Sequence, residues 1–233
     1  MLRSLNVLMN FTIQFNDDEV GKLTDVYIDK ATWNVRYLIL DTGNWLSGKT
    51  VIFSTQNLDV FDPEKQTITI HRSLNDVESS PEFKNAGTLT RKFEENLFKH
   101  YQWIPYWSAQ GIAQAGAAPV VIPVQDTDSD TSSTPKEPDL LTYDEIKKYN
   151  VVHEDQTLGW VKDCIYDDDS WDLKSIIFDT GKTLREKIIE VSVKRIHGIN
   201  TNEKHLLTEM SLKEAENCDS FNLMELTQEQ TEK

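Results

Sequence analysis

The sequence has no apolar run close to the roughly 20 residues that a membrane-spanning helix requires. Its first residues, MLRSLNVLMNF, contain one Arg and a short apolar stretch, but no small-residue site of the kind at which signal peptides are cleaved. These features predict a cytoplasmic protein without an integral membrane segment.

Cysteine and positive charge are also scarce. Cys164 and Cys218 lie far apart in the sequence, and neither has another Cys or a metal-spaced His nearby, so we predict no disulfide and no zinc site. Lys and Arg number 24 against 39 Asp and Glu, which gives a formal net charge of -15. Because nucleic-acid binding needs clustered positive charge, this balance argues against a nucleic-acid partner.

Several motifs of catalysis and cofactor binding are missing. The sequence contains no Gly-x-Gly-x-x-Gly motif, no Walker loop, no His-Glu-x-x-His motif and no Gly-x-Ser-x-Gly elbow. We therefore predict no cofactor, no metal and no catalytic residues of these classes.

An internal repeat accounts for much of what is present. Asp41-Thr42-Gly43 recurs as Asp179-Thr180-Gly181, and the offset of 138 residues (179 minus 41) aligns further identities without a gap. The identical positions include Gly21 and Gly159, Asp25 and Asp163, Asp29 and Asp167, Trp33 and Trp171, Lys49 and Lys187. Such self-similarity indicates a duplicated unit of roughly 75 to 80 residues.

Short alternating runs bounded by turn residues predict five or six strands in each unit. In the first unit the predicted strands are 11–15, 23–29, 35–40, 51–53, 58–61 and 67–71. A one-turn helix is predicted at 73–78, with its equivalent at 211–216. Short strands with tight turns and no long helix are typical of a small barrel.

Different material separates the two units. An amphipathic helix is predicted over 90–102, with Thr90 as its N-cap and Pro105 as its end. Residues 108–138 have the polar, Pro-containing composition of a flexible linker. A second helix is predicted over 141–149, because Thr142 and Glu145 have capping-box spacing.

Gly21 to Asp25, Asp29, Trp33 and the strand ending in Asp41-Thr42-Gly43 together resemble a PRC-barrel domain. That family is named for the cytoplasmic barrel of the H subunit of photosynthetic reaction centres, and a similar barrel occurs in a bacterial ribosome-maturation factor. The resemblance implies a mainly β fold with two small barrels, and a surface on which other macromolecules dock. The expected organisation is a first barrel over 1–80, a helix and aromatic segment over 81–107, a flexible linker over 108–138, a second barrel over 139–217 and an acidic tail over 218–233.

The Asp-Thr-Gly triplets have two interpretations. Aspartic proteases place a catalytic carboxylate in such a triplet, and two carboxylates can share one proton. Neither copy, however, has the later apolar-apolar-Gly segment that supports such a site, so we interpret the triplets as turns that end a strand. Asp167-Asp168-Asp169 is similarly interpreted as an acidic turn, because a calcium loop would need a glycine at its sixth position and a final Glu.

Four aromatic residues form the candidate site for docking a partner: Tyr101, Trp103, Tyr106 and Trp107. Trp and Tyr dominate interface hot spots, but the same residues could instead seal the end of a small barrel. The sequence predicts a non-enzymatic adaptor or assembly module that binds a protein partner, with the two barrels packed as an intrachain pseudo-dimer. Two alternatives stay open: a peripheral component of a photosynthetic-type electron-transfer complex, and an aspartic-type hydrolase using Asp41 and Asp179.

Overall fold

The computed structural model describes residues 1–15, 18–42, 49–83, 89–108, 137–184 and 186–222. They form two separate seven-stranded mixed sheets with few helices, so the predicted mainly β fold is confirmed. Gly43, most of the predicted linker and most of the predicted acidic tail lie outside the described residues.

The first half of the chain contributes these elements: β1 (Leu2–Ser4), α1 (Leu5–Leu8), β2 (Thr12–Phe15), β3 (Asp18–Asp29), β4 (Val35–Asp41), β5 (Thr50–Ser54), β6 (Val60–Asp62), β7 (Thr67–Ile70), α2 (Leu74–Glu78) and α3 (Arg91–Tyr101). The second half contributes β8 (Leu140–Thr142), α4 (Tyr143–Ile146), β9 (Asn150–His153), β10 (Gln156–Asp167), β11 (Leu173–Asp179), β12 (Ile188–Ser192), β13 (Ile196–Asn200), β14 (His205–Thr208) and α5 (Leu212–Asn217). Short 3-10 turns lie at Thr55–Asn57, Gly181–Leu184 and Val193–Arg195.

The two sheets have the same strand order. The first runs β5-β4-β3-β2-β7-β6, and the second runs β12-β11-β10-β9-β14-β13. In each sheet one pair is parallel, β2 with β7 and β9 with β14, and the other pairs are antiparallel. The alternation in β2 buries Ile13 and Phe15, whereas β4 buries Leu38, Ile39 and Leu40 in succession because both of its faces are covered.

The repeated glycines are explained by close backbone approach. A side chain at Gly21 would collide with the carbonyl oxygen of Asp41, and one at Gly159 would collide with that of Asp179. Glycine is therefore required where β3 and β10 pass the strand ends that carry the Asp-Thr-Gly triplets.

The repeated lysines fasten the short helices. The Lys49 ammonium donates to the carbonyls of Glu78 and Ser80, at 2.6 and 2.7 Å, at the end of α2. Lys187 makes the equivalent bonds at the end of α5, at 2.6 and 2.9 Å. Each lysine satisfies carbonyl groups that a helix end leaves without intrahelical partners.

The segments that begin each repeated unit cross to the opposite copy. We call residues 2–8 (β1 and α1) the first arm and residues 140–146 (β8 and α4) the second arm. β1 pairs with β10 of the second sheet, and β8 pairs with β3 of the first sheet. Both pairings are antiparallel and are related by the offset of the repeat, so the crossing is reciprocal.

A buried aspartate receives the first arm. Asp163 accepts hydrogen bonds from the Ser4 hydroxyl at 2.5 Å and from the Asn6 N–H at 3.1 Å. It also accepts a bond from the Tyr143 hydroxyl of the second arm at 2.8 Å. Desolvation raises the pKa of Asp163, and the donors around its carboxylate oppose that rise.

Asp25 has the equivalent role for the second arm. It accepts the Asp144 N–H at 3.2 Å and the N–H of Val26 at 2.8 Å. Burial raises the pKa of Asp25 as well, although it is less enclosed than Asp163. The aspartate that follows each repeated glycine by four residues, Asp25 after Gly21 and Asp163 after Gly159, is thus the residue to which the opposite arm attaches.

Two tryptophans make a second reciprocal contact between the copies. Trp33 and Trp171 both have left-handed backbones, with φ of 58° and 59°. Their carbonyls accept hydrogen bonds, each 2.8 Å long, from the N–H groups of Leu173 and Val35, respectively. This backbone conformation is uncommon for a large residue, and the bonds across the interface offset part of its cost.

The helix predicted over 141–149 is wrong in extent. Residues 140–142 form strand β8, and the helix covers only Tyr143–Ile146, because the open edge of β3 pairs with the beginning of the segment. The capping box itself is confirmed: the Thr142 hydroxyl accepts the Glu145 N–H at 3.2 Å, and Glu145 accepts the Thr142 N–H at 2.9 Å.

We predict that Asp163→Ala lowers the free energy of unfolding by about 3 kcal/mol, because several buried donors lose a charged acceptor. Asp25→Ala is the matched control at the equivalent position, and it should cost roughly 1–2 kcal/mol because Asp25 is less buried. Urea-induced unfolding of the full-length variants measures both changes. Equal losses, or a negligible loss for Asp163→Ala, would contradict the role assigned to this residue.

Candidate functional site

Helix α3 (Arg91–Tyr101) carries the aromatic segment. Thr90 caps its first turn, as predicted. The helix ends because Gln102 adopts a left-handed backbone, with φ of 56°, and the following N–H bonds back to the last turn. It therefore ends before Pro105, the residue that the sequence predicts as its end.

Two of the four candidate docking residues are buried. The rings of Tyr101 and Trp103 stack with their centroids 4.5 Å apart, and both contact Phe53 of β5, at 4.9 and 5.4 Å. Tyr101 and Trp103 belong to the hydrophobic core of the first sheet. Because both side chains are buried, they fill the core of the barrel, which is the second of the two interpretations that the sequence allowed.

The other two candidates are partly exposed. Tyr106 and Trp107 pack around Phe98 of α3, at 6.3 and 4.9 Å between ring centroids. The Arg36 guanidinium lies over the Tyr106 ring at 4.3 Å, and that of Arg91 lies over Trp107 at 4.1 Å. The first of these cation–π contacts joins Tyr106 to β4 of the first sheet, and the second joins Trp107 to α3.

A buried carboxylate fixes this arrangement. Glu94 on α3 accepts hydrogen bonds from the hydroxyls of Tyr37, at 2.6 Å, and Tyr106, at 3.0 Å. Its second oxygen lies 2.6 Å from the Arg91 guanidinium. Desolvation raises the pKa of Glu94 above its ordinary value, while the two tyrosines and Arg91 act in the opposite direction.

We call residues 103–107 the aromatic lid. One of its side chains, Ile104, is 48% exposed, although the segment is anchored on both sides by Trp103 and Tyr106. The lid therefore presents an apolar side chain to solvent on a support that is held by the core. Such a group can contribute contact area to a partner without first being ordered.

The Asp-Thr-Gly triplets lie at strand ends of different sheets. Asp41 ends β4, and the Thr42 hydroxyl donates to the Lys49 carbonyl at 2.8 Å. In the second copy Asp179 ends β11 and accepts the Gly181 N–H at 2.8 Å, with Gly181 at a positive φ of 52°. In the second copy the triplet forms the turn that its composition predicts. In the first copy Asp41 is the last residue of its strand, and Gly43 lies outside the described residues.

The acidic run in the second copy also forms a turn. Asp167 accepts the N–H groups of Asp169, at 3.2 Å, and Ser170, at 2.9 Å, while Asp168 bonds to Arg3 of the first arm. Across the described ranges, no group of three or more His, Cys, Asp or Glu side chains is arranged to hold a metal ion.

Comparison with known proteins gives the family. The model of the PRC-barrel domain matches residues 10–73 and again residues 138–211, which together are more than half of the sequence. The chain belongs to the PRC-barrel family. Each PRC-barrel match corresponds to one of the two sheets, so the predicted tandem duplication is confirmed. No curated protein matches the chain.

The two family matches differ in whether they include the arm. The second match begins at residue 138 and so includes the second arm, which pairs with the first barrel. The first match begins at residue 10, beyond the first arm, which pairs with the second barrel. Among the described residues, no helix has the length and apolar character that crossing a membrane requires.

Glu94 was not identified as a site residue from the sequence. It lies on the same helix face as Leu97 and Tyr101, and a carboxylate on an otherwise apolar face signals a buried polar contact. The sequence alone gives no partner for that carboxylate, because Tyr37 is far away in the chain and belongs to a strand of the PRC barrel.

We predict that Glu94 makes the stability of the protein fall with rising pH in one interval. Folded Glu94 keeps its proton to a higher pH than the unfolded chain does, so stability decreases between its ordinary pKa of 4.5 and the raised folded value. Glu94→Gln does not titrate. The difference in the free energy of unfolding, natural protein minus variant, should therefore decrease as the pH rises through this interval.

Urea unfolding from about pH 4 to about pH 7 measures this difference. Glu95→Gln, at an exposed position of the same helix, controls for the loss of one negative charge. A difference that stays constant or increases with pH would show that the raised pKa is wrong.

Proposed function

We propose that this PRC-barrel protein is a non-enzymatic, cytoplasmic adaptor that binds a protein partner through the aromatic lid. The observation that carries the proposal is the exposure of Ile104 on a segment fixed by the buried Glu94. The family supplies the barrel, and the lid supplies a surface on it that is apolar and held in place.

The composition of the lid supports this function. Tyr106 and Trp107 are partly buried and follow the exposed Ile104 in the chain, and aromatic residues of this kind form the centres of interfaces. Because both rings are already fixed by Phe98 and by the arginine contacts, a partner would not have to offset the entropy of ordering them. The partner that fits is a protein with an apolar side chain or shallow apolar groove at its surface.

The test compares two exposed apolar residues on different elements. Ile104→Asp places a charge at the centre of the proposed contact. Val60→Asp places the same charge on β6, outside the aromatic lid, at a side chain of similar exposure, 45%. Tagged full-length protein and both variants are used to purify bound proteins from the native cells, and the captured partner is then titrated in purified form. We expect Ile104→Asp to weaken binding by about tenfold or more and Val60→Asp to leave it unchanged.

Two results would contradict the proposal. One is a partner that binds equally to the natural protein and to Ile104→Asp, because the lid would then not be the contact. The other is acid proteolysis by the purified protein that is lost in an Asp41→Asn, Asp179→Asn double variant, because the strand-end triplets would then be catalytic.

A further inference from the structure

Each arm has two strand edges with which it could pair. Thr12 of β2 lies opposite Lys22 of β3, so a β2 that continued toward the N-terminus in this register would place residues 5–7 along residues 27–29 of the same copy. That stretch of β3 instead pairs with the second arm. The equivalent stretch of β10 pairs with the first arm. Something must therefore favour the crossed pairing over the uncrossed one.

Hydrogen bonding by the arms is too similar to decide between these arrangements. Ser4 and Thr142 occupy equivalent positions, and each caps the short helix of its own arm by accepting a backbone N–H. The aspartates that receive the arms, Asp25 and Asp163, are also equivalent in the repeat. Backbone pairing is available along either edge, since the antiparallel geometry is the same in both sheets.

Charge, in contrast, is reversed at one pair of equivalent positions, one on each edge. Position 30 of the first copy is Lys, and its equivalent in the second copy is Asp168. The Lys30 ammonium forms an ion pair with Asp139, next to the second arm. The Asp168 carboxylate forms an ion pair with Arg3 of the first arm. In each of these two contacts, therefore, the charges are of opposite sign only when the arms are crossed.

If each arm instead paired with the edge of its own copy in its present register, like charges would meet at both edges. Arg3 would lie beside Lys30, and Asp139 would lie beside Asp168. Separating Arg3 from Asp168 is the more costly of the two losses, because these side chains are only 8% and 11% exposed and water solvates their charges poorly. Lys30 and Asp139 are more exposed and contribute less.

We propose that charge pairing determines which barrel each arm binds: Arg3 selects the edge marked by Asp168, and Asp139 selects the edge marked by Lys30. Each barrel thereby accepts the arm of the other copy and rejects its own. The surface involved is the edge at residues 27–29 or 165–167, and the partner that fits each edge is the arm of opposite charge.

The first test uses three full-length variants of the more exposed pair, Lys30→Asp, Asp139→Lys and the two combined. Hydrogen exchange of the backbone amides in the second arm is the readout, because these amides are protected only while the arm is bound. Each single variant should speed this exchange about fivefold, and the combined variant, whose charges are again opposite, should return to within about twofold of the natural rate.

The second test reverses both edges in one chain by combining Lys30→Asp with Asp168→Lys. A zero-length carbodiimide cross-link, which joins a lysine to a carboxylate in contact with it, is mapped by peptide mass spectrometry. In the natural protein it should join Lys30 to Asp139, and in the variant it should join Asp139 to the lysine introduced at position 168. Unchanged amide protection without the new cross-link would overturn the proposal, as would failure of the combined charge reversal to restore slow exchange in the first test.

Discussion

The structure depends on covering the open edges of two long strands. β3 and β10 each have twelve residues, and their inner partners, β2 and β9, pair with only the first part of them. The last residues, 27–29 and 165–167, would otherwise present unpaired backbone groups along one side. Because the arm that pairs with each of these stretches comes from the other copy, neither sheet is complete by itself.

Buried or half-buried carboxylates bind the peripheral segments to this framework. Asp163 and Asp25 bind the arms, and Glu94 binds the aromatic lid through Tyr37 and Tyr106. In each case a charged group is withdrawn from water and its desolvation is offset by donors from the segment it holds. Such acids fix the position of the segment along the strand, since a segment shifted out of register would leave the carboxylate without donors.

The sequence was sufficient for the elements whose signals are local. The alternation at 11–15, the N-cap at Thr90 and the capping box at Thr142 all predict what the structure shows, and the offset between the repeats predicts two similar sheets. The crossing of the arms could not be predicted, because a three-residue strand such as β8 has the same pattern whichever edge it pairs with. The contact between Glu94 and Tyr37 was missed for a related reason, since it joins residues that only the fold brings together.

The crossed arms also have a consequence for synthesis on the ribosome. The chain emerges from its N-terminus, so the first barrel is translated long before residues 140–142, which must cover its edge. Until then its unpaired edge is exposed, while the first arm has no second barrel to bind. The final pairing joins residues more than a hundred positions apart, and such contacts form slowly because a long loop must close before they are made. The nascent first half is therefore the form of this protein most exposed to pairing with the wrong chain.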